Sequence, residues 1–200
     1  MKRSPGWCVP GSVDGDELAI RAVLGQRVSV SAARTLSGRL VARCGQPLPE
    51  SLVEPDRGLT HLFPEPGAVA EIGAADLAMP AARREALCNL ARGLAGGGID
   101  LDPASDREEA GRRLLALRGV GPWTASYVAM RALGDPDALL PTDLGVRRAV
   151  AGLGGGSDPA SVTALARRWR PWRAYATQHL WASLGDVPGI QEPTKREVEA

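Results

Sequence analysis

The sequence contains no apolar stretch approaching the roughly 20 residues that a membrane span requires, and none follows the basic start at residues 1–3. Cysteine is scarce as well. Cys8, Cys44 and Cys88 are odd in number and far apart, without a CxxC pair or a Cys/His cluster of the zinc type. This pattern indicates reduced thiols, so we expect a cytoplasmic protein with no membrane segment and no metal site.

Lysine is almost absent, because only Lys2 and Lys195 among the 24 basic residues are lysine. The net charge of +1 excludes a uniformly basic nucleic-acid-binding protein. Residues 111–185 nevertheless contain ten arginines and four aspartates, a net charge of +6, so this region can present a basic face to a polyanion. A GC-rich coding bias is the alternative explanation for most of the arginine excess.

Strand-like alternation is also scarce, whereas apolar residues recur at helical spacing along most of the chain. The sequence therefore predicts an all-α fold. Residues 1–13 should be irregular, residues 14–185 should form the folded domain, and residues 186–200 should be a loose polar tail. The first helix should begin at Asp14 or Asp16, and residues 45–66 should be mostly loop. Later helices are expected at 33–44, 67–72, 74–79, 81–95, 106–116, 123–133, 142–151, 159–169 and 172–184.

A helical hairpin is expected at residues 107–133, where Gly119 and Gly121 separate two helical segments. Glycines permit a tight turn and leave backbone N–H groups accessible at the start of the second helix, where the helix dipole favours an anion. Gly119, Val120, Gly121 and Thr124 are therefore candidate contacts for a DNA phosphate. An ordinary helix–turn–helix joint with a glycine cap is the alternative.

The hairpin sequence LRGVGPWTA at 117–125, followed by LLPTDLGVRRAV at 139–150, resembles the helix-hairpin-helix DNA glycosylases of base excision repair. The resemblance is closest to their 3-methyladenine DNA glycosylase II branch. It extends through residues 17–33, 59–63 and 170–181, and so covers most of the chain from about residue 5 to residue 185.

The resemblance implies two helical lobes with a cleft between them. Full-length members usually carry an additional amino-terminal α/β domain, so this chain is expected to correspond to the catalytic part alone. The iron–sulfur cluster of the endonuclease III branch needs four cysteines near the carboxyl end, whereas no cysteine follows Cys88.

Asp143 matches the catalytic aspartate of the family, 20 residues after Trp123. The preceding Pro141 and Thr142 suggest a helix N-terminus, where the dipole and the backbone amides favour a carboxylate. Breaking an N-glycosidic bond builds positive charge on the deoxyribose, and a fixed anion stabilises that transition state. The alternative is that Asp143 is only a helix cap.

Trp123, Tyr127 and Trp181 match positions that line the base pocket in the family. An electron-rich ring attracts a cationic alkylated base by a cation–π contact worth about 0.5–2 kcal/mol. Core filling is the alternative, and we expect it for Trp169 and Trp172. Bifunctional members have a lysine nucleophile where this chain has Trp123, so the resemblance implies a monofunctional enzyme that uses water.

A base that leaves the duplex is usually replaced by an inserted side chain, or wedge. The family places the wedge in the segment corresponding to residues 24–30, so Gln26 and Arg27 are the candidates. Leucine or glutamine is common where this chain has Arg27, and this departure leaves the choice between the two open. His61 and His179 are expected to be structural.

The expected partner is double-stranded DNA carrying alkylated bases, bound by a monomer in the nucleoid. No cofactor is expected, and the one candidate ion is a monovalent cation at the backbone carbonyls of the hairpin. Two alternatives stay open. One is a DNA-binding module without catalytic activity, and the other is a glycosylase of the same fold for deaminated or oxidised bases.

Overall fold

The computed structural model describes residues 6–53, 58–73 and 77–185. Regular structure in these ranges is helical, with an isolated β-bridge between Pro47 and His61. The predicted all-α fold is confirmed. In the described part of the chain, no helix is both long enough and apolar enough to cross a membrane. The chain divides into a larger unit, Val9–Ala138, and a smaller unit that combines Met1–Cys8 with Leu139–Ala200.

The larger unit has a short 3-10 helix at Glu50–Leu52. Its described α-helices are α1 (Gly15–Leu24), α2 (Val30–Cys44), α3 (Pro66–Ala70), α4 (Ala81–Ala95), α5 (Arg107–Ala116) and α6 (Pro122–Arg131). Asp14 caps α1 and Asp106 caps α5, because each carboxylate accepts hydrogen bonds from two backbone N–H groups of the first turn. These caps fix where the two helices begin.

The core of the larger unit is built around α1, which packs against α2, α4 and α6. Ile20, Val23 and Leu24 have no exposed surface, in keeping with the apolar sequence of this helix. Each such side chain contributes about 1.5–3 kcal/mol by burial. Since α5 also packs against α6, the same core holds both arms of the hairpin in place.

The smaller unit has its own core. Its α-helices are α7 (Leu144–Gly152), α8 (Pro159–Ala166) and α9 (Arg173–Ser183), with a 3-10 helix at Arg167–Trp169. Val146, Val150 and Val162 are fully buried where α7 meets α8 and α9, and Trp169 and Trp181 pack against them. This packing brings the beginning of α7 next to the end of α9.

Several predicted helix bounds are wrong. Residues 77–79 of the expected helix 74–79 are not helical, while residues 74–76 lie outside the described ranges. Pro80 disfavours helical backbone at the residue before it, and the Met79 N–H bonds the Leu77 carbonyl oxygen in a local turn instead. The helix α2 begins three residues earlier than expected because the Ser29 hydroxyl accepts a hydrogen bond from the Ala32 N–H.

Candidate active site

Gly119 is required by the fold of the hairpin turn. Its φ of +91° lies in the left-handed region that favours glycine. A Cβ at this position would lie well inside the van der Waals contact distance of the Cβ of Ala86 on α4. The neighbouring Val120 is buried in the core of the larger unit, and its N–H donates to the Leu117 carbonyl oxygen. The turn is therefore tight and firmly packed.

Gly121 is different, because nothing in the described structure requires a glycine there. It is the N-cap of α6 with φ −95° and ψ 175°, which any residue adopts, and a Cβ would meet no atom within 4 Å. The helix starts with Pro122 and has no hydrogen bond from a capping side chain. A bare glycine at an open helix N-terminus allows an anion to approach the backbone closely.

Thr124 faces the protein interior. Only 3% of the residue is exposed, and its Oγ1 accepts a hydrogen bond from Gln26 Nε2 at 3.0 Å. The predicted phosphate contact of Thr124 would therefore be made through the backbone rather than through the hydroxyl group.

Trp123 and Tyr127 form an aromatic wall on α6. Their rings are parallel within 6°, with centroids 5.2 Å apart. Both line an open cavity of about 320 Å³ together with residues of α1, of α2 and of the turn between these helices. This volume is at the lower end of the range for ligand sites. Arg21 and Arg34 also line this cavity, and the charge of Arg21 is paired with Glu17 at 2.5 Å. The structure thus places two of the three predicted pocket residues, Trp123 and Tyr127, on the wall of one cavity.

Asp143 is the N-cap of α7, as the sequence predicted. Its Oδ1 accepts hydrogen bonds from the Val146 N–H at 2.9 Å and from the Trp181 indole N–H at 2.8 Å. Two N–H donors on one oxygen complement a carboxylate, and they fix the side chain in one orientation. Asp143 is half-buried, so this anion is held at a defined place next to the surface of the smaller unit.

Because Gly145 has no side chain, it leaves room for the hydrogen bond between the Trp181 indole and the Asp143 carboxylate. A Cβ on Gly145 would lie 3.0 Å from Trp181 Cδ1, 3.2 Å from Trp181 Nε1 and 3.1 Å from Asp143 Oδ1. These distances are shorter than ordinary van der Waals contacts, so a methyl group would press on both partners of the hydrogen bond. Gly145 was not among the residues predicted for the site, although a glycine inside the first turn of a helix is a signal of close packing.

The helix α9, which carries Trp181, is also contacted by the start of the chain. Trp7 stacks on His179 with ring centroids 5.7 Å apart and planes 17° from parallel. Desolvation lowers the pKa of His179 below its usual range. Trp172 does not fill the core as expected, because it precedes the first residue of α9 and is 54% exposed.

The two wedge candidates lie in different environments. Gln26 is half-buried, and its Nε2 donates to the Gly119 carbonyl oxygen at 3.2 Å as well as to Thr124. Arg27 is exposed and has a left-handed backbone, with φ +56°. The described residues contain no group of three or more His, Cys, Asp or Glu side chains that could hold a metal ion.

No protein-family model matches the chain, but individual relatives do. The chain is 45% identical to the probable bifunctional transcriptional activator/DNA repair enzyme AlkA of Mycobacterium tuberculosis, over 98% of this chain and 38% of the relative. It is 36% identical to DNA-3-methyladenine glycosylase 2 of Escherichia coli, over 92% of this chain and 63% of the relative. The chain therefore spans less than two thirds of the length of either relative.

The fold is similar to a solved structure as well. The 3-methyladenine DNA-glycosylase of Archaeoglobus fulgidus superposes with a TM-score of 0.68 at 25% identity, over 90% of this chain and 62% of that chain.

Proposed function

Since the chain belongs to the helix-hairpin-helix DNA glycosylases, we propose that it is a monofunctional glycosylase for alkylated purines in base excision repair. Its substrates are purines of the 3-methyladenine and 7-methylguanine class, extruded from double-stranded DNA. The observation that carries the proposal is the carboxylate of Asp143, held by two N–H donors at the start of α7.

Asp143 acts by electrostatics. When the bond between C1′ and the base nitrogen breaks, the bonding electron pair leaves with the base and positive charge develops on the deoxyribose. An alkylated purine that is already cationic leaves as a neutral molecule, so it needs little help from a proton donor. Water then bonds to C1′ and loses a proton. A fixed carboxylate stabilises the transition state more than the ground state, which accelerates the reaction.

The extruded base is proposed to stack on the wall formed by Trp123 and Tyr127. The face of an aromatic ring attracts a cation, so this wall favours an alkylated base over a neutral one.

DNA is proposed to bind through the open N-terminus of α6. The glycine at Gly121 lets a phosphate reach the backbone, and the dipole of α6 favours the negative charge. Such contacts hold the sugar-phosphate backbone without reading the base sequence. A repair enzyme needs this mode of binding because lesions occur in any sequence.

The enzyme is proposed to leave the DNA strand intact. Trp123 occupies the place of the lysine that forms a Schiff base in bifunctional members, while Lys2 and Lys195 lie outside the described residues. We propose further that it acts as a monomer on the nucleoid and needs no cofactor.

The one ion in this proposal is a monovalent cation at the carbonyls of the hairpin. The carbonyls of Leu117 and Gly119 each accept one hydrogen bond in the structure, and a carbonyl oxygen has two lone pairs. Activity in potassium chloride compared with tetramethylammonium chloride at equal ionic strength tests this component.

Asp143→Asn tests the catalytic assignment. Asparagine keeps an oxygen that can cap α7 but removes the charge, so excision of 3-methyladenine under single-turnover conditions should fall by about 10²–10³-fold or more. Affinity for DNA should be unchanged or tighter, because one negative charge near the phosphates is lost. The wild-type product should be an uncut strand with an abasic site until alkali is added.

Asp158→Asn is the matched control. Asp158 caps α8 in the same unit by accepting hydrogen bonds from Ala160 and Ser161, so the substitution removes an equal charge from an equivalent cap. Its rate should stay at the wild-type value. An Asp143→Asn rate close to wild type would show that Asp143 is only a cap, and DNA binding without base release by the wild type would indicate a non-catalytic module.

A further inference from the structure

The cavity beside Trp123 and Tyr127 has a positively charged side chain on its wall that the proposed reaction does not use. Arg34 belongs to α2, is exposed and lines this cavity. Among the residues that the structure describes, none forms an ion pair or a hydrogen bond with the Arg34 guanidinium group. An arginine in this position can donate its hydrogen bonds to a ligand in the cavity.

Arg21, the other arginine of the cavity, is engaged by the protein itself. Its Nε donates to Glu17 Oε1 at 2.5 Å, and its guanidinium carbon lies 4.8 Å from the centre of the Phe63 ring. A turn of Arg21 toward a ligand would weaken both contacts. Of the two arginines, Arg34 is therefore the one whose donors are left for a base.

The hydroxyl groups on the wall of the cavity cannot distinguish between bases in the same way. Ser37 lies three residues after Arg34, so the two are neighbours on one face of α2, and only 5% of Ser37 is exposed. The hydroxyl groups of Ser37 and Tyr127 can each donate or accept a hydrogen bond, so they suit either kind of partner. A guanidinium group has five N–H donors and no acceptor, so it suits an acceptor only.

Purine bases differ at C6 in a way that such a donor detects. Guanine has the acceptor O6 there, whereas adenine has an amino group that donates. Methylation of guanine at N7 removes one acceptor but leaves O6. A guanidinium group can therefore form a charge-assisted hydrogen bond with 7-methylguanine, while the amino group of 3-methyladenine would place one donor against another.

We propose that Arg34 is a specificity-determining residue that donates to O6 of the extruded purine and thereby favours alkylated guanine over alkylated adenine. This inference rests on the proposed function. The wall of Trp123 and Tyr127 attracts both bases, because each is cationic before its bond to the sugar breaks. The charge of Arg34 repels both alike, so the difference comes from its hydrogen bond. The wall then selects for alkylation, and Arg34 selects the purine.

The test uses one preparation of methylated duplex DNA, because it contains both lesions. The released bases are separated by chromatography, and the initial rate per lesion for 7-methylguanine is divided by that for 3-methyladenine. Because the two lesions compete for the same enzyme, this ratio measures discrimination and is independent of the amount of active protein. Arg34→Met keeps a long side chain but removes its donors. The ratio should fall by about tenfold, the value of a hydrogen bond to a charged group.

Two further variants sharpen the test. A carboxylate accepts hydrogen bonds and does not donate them, so Arg34→Glu suits the amino group of 3-methyladenine and should lower the ratio further than Arg34→Met. Arg39→Met is the matched control, because Arg39 is also exposed on α2 but does not line the cavity. It should keep the wild-type ratio.

An unchanged ratio in Arg34→Met would overturn the proposal, whichever way the two rates move. Release of both bases slowed by the same factor would show that Arg34 holds a phosphate, and release accelerated by the same factor would show that only its charge matters. In either case the proposed function would stand. Wild-type protein that releases neither base would overturn the proposed function and this inference together.

Discussion

The helices α6 and α7 lie in different units and begin in opposite ways. The N-terminus of α6, after Gly121, has no capping side chain, whereas the N-terminus of α7 is capped by the carboxylate of Asp143. Both ends carry the positive side of a helix dipole. In α6 that end is open to an anion from outside, and in α7 it holds an anion of the protein itself.

In the proposed function, this difference separates DNA binding from chemistry. An open helix end is suited to a phosphate that is present on every nucleotide, so it supplies affinity without selecting a lesion. An anion held in one orientation is suited to a positive charge that appears only during bond cleavage. Substitutions in the glycine turn before α6 should therefore change affinity or folding, and substitutions around the start of α7 should change the rate.

The largest effect should come from Gly119→Ala, which tests whether the hairpin turn is a structural element. Alanine costs about 1–2 kcal/mol in a left-handed conformation, and overlap with Ala86 adds about 1–3 kcal/mol. We expect the free energy of unfolding to fall by about 2–5 kcal/mol, measured by denaturant titration. Gly134→Ala is the control, because Gly134 has φ +62° and a Cβ there would meet no atom within 4 Å, so it should lose only the conformational part. Equal losses in both variants would contradict the overlap with Ala86.

The second effect concerns the chemical step. Trp181→Phe removes the N–H that orients Asp143 but keeps an aromatic ring, and Gly145→Ala places a methyl group against both partners. Each should lower the single-turnover rate by about tenfold, the value of a hydrogen bond to a charged group, with little change in affinity for damaged DNA.

Gly152→Ala is the matched control for Gly145→Ala, because both glycines lie in α7 and a Cβ on Gly152 would meet nothing within 4 Å. This variant should keep the wild-type rate and gain slightly in stability. If Trp181→Phe instead weakened binding of damaged DNA and left the rate unchanged, the indole would serve as a stacking surface for the base.

Local sequence patterns were enough to predict the hairpin and the capping position of Asp143. The order glycine, one residue, glycine indicates a tight turn, and proline, threonine and aspartate before an apolar stretch indicate a helix start. Helix ends that depend on neighbouring prolines, such as Pro80, were predicted less well.

Contacts between distant residues could not be predicted in this way. The sequence does not show that Ala86 lies against Gly119 or that Trp181 reaches Asp143, 38 residues away. The roles of Gly119 and Gly121 could not be separated for the same reason, because one is restricted by a neighbour on α4 and the other is not. The connection between Gln26 and the hairpin likewise depends on the packing of α1 against α6.

A smaller effect is expected for Gly121→Val, which tests whether the start of α6 is reserved for a ligand. A branched side chain is accommodated by the protein but obstructs a phosphate. Affinity should therefore fall by about fivefold for damaged and undamaged DNA alike, in the range of one ordinary hydrogen bond. Stability should change little. Fluorescence anisotropy with both DNA duplexes measures this. A loss confined to damaged DNA would place Gly121 in the base pocket and remove the contrast between α6 and α7.

The smallest effect concerns the pH dependence of stability in the smaller unit. Burial lowers the pKa of His179, which stacks on Trp7 in the folded state. The unfolded state therefore binds more protons at intermediate pH. The free energy of unfolding should therefore decrease as the pH falls through 6.5, the ordinary pKa of a histidine, and level off below the pKa of the folded state. At pH values above both pKa values, the contribution of the uncharged His179 to the free energy of unfolding should be fully retained.

His179→Gln should remove this part of the pH dependence, and Trp7→Ala should reduce it because the imidazole becomes better solvated. Thermal unfolding at a series of pH values between about 5 and 8, where an ordinary histidine titrates, measures both. Parallel curves for the wild type and His179→Gln would show that the contact between Trp7 and His179 does not contribute to the pH dependence of folding.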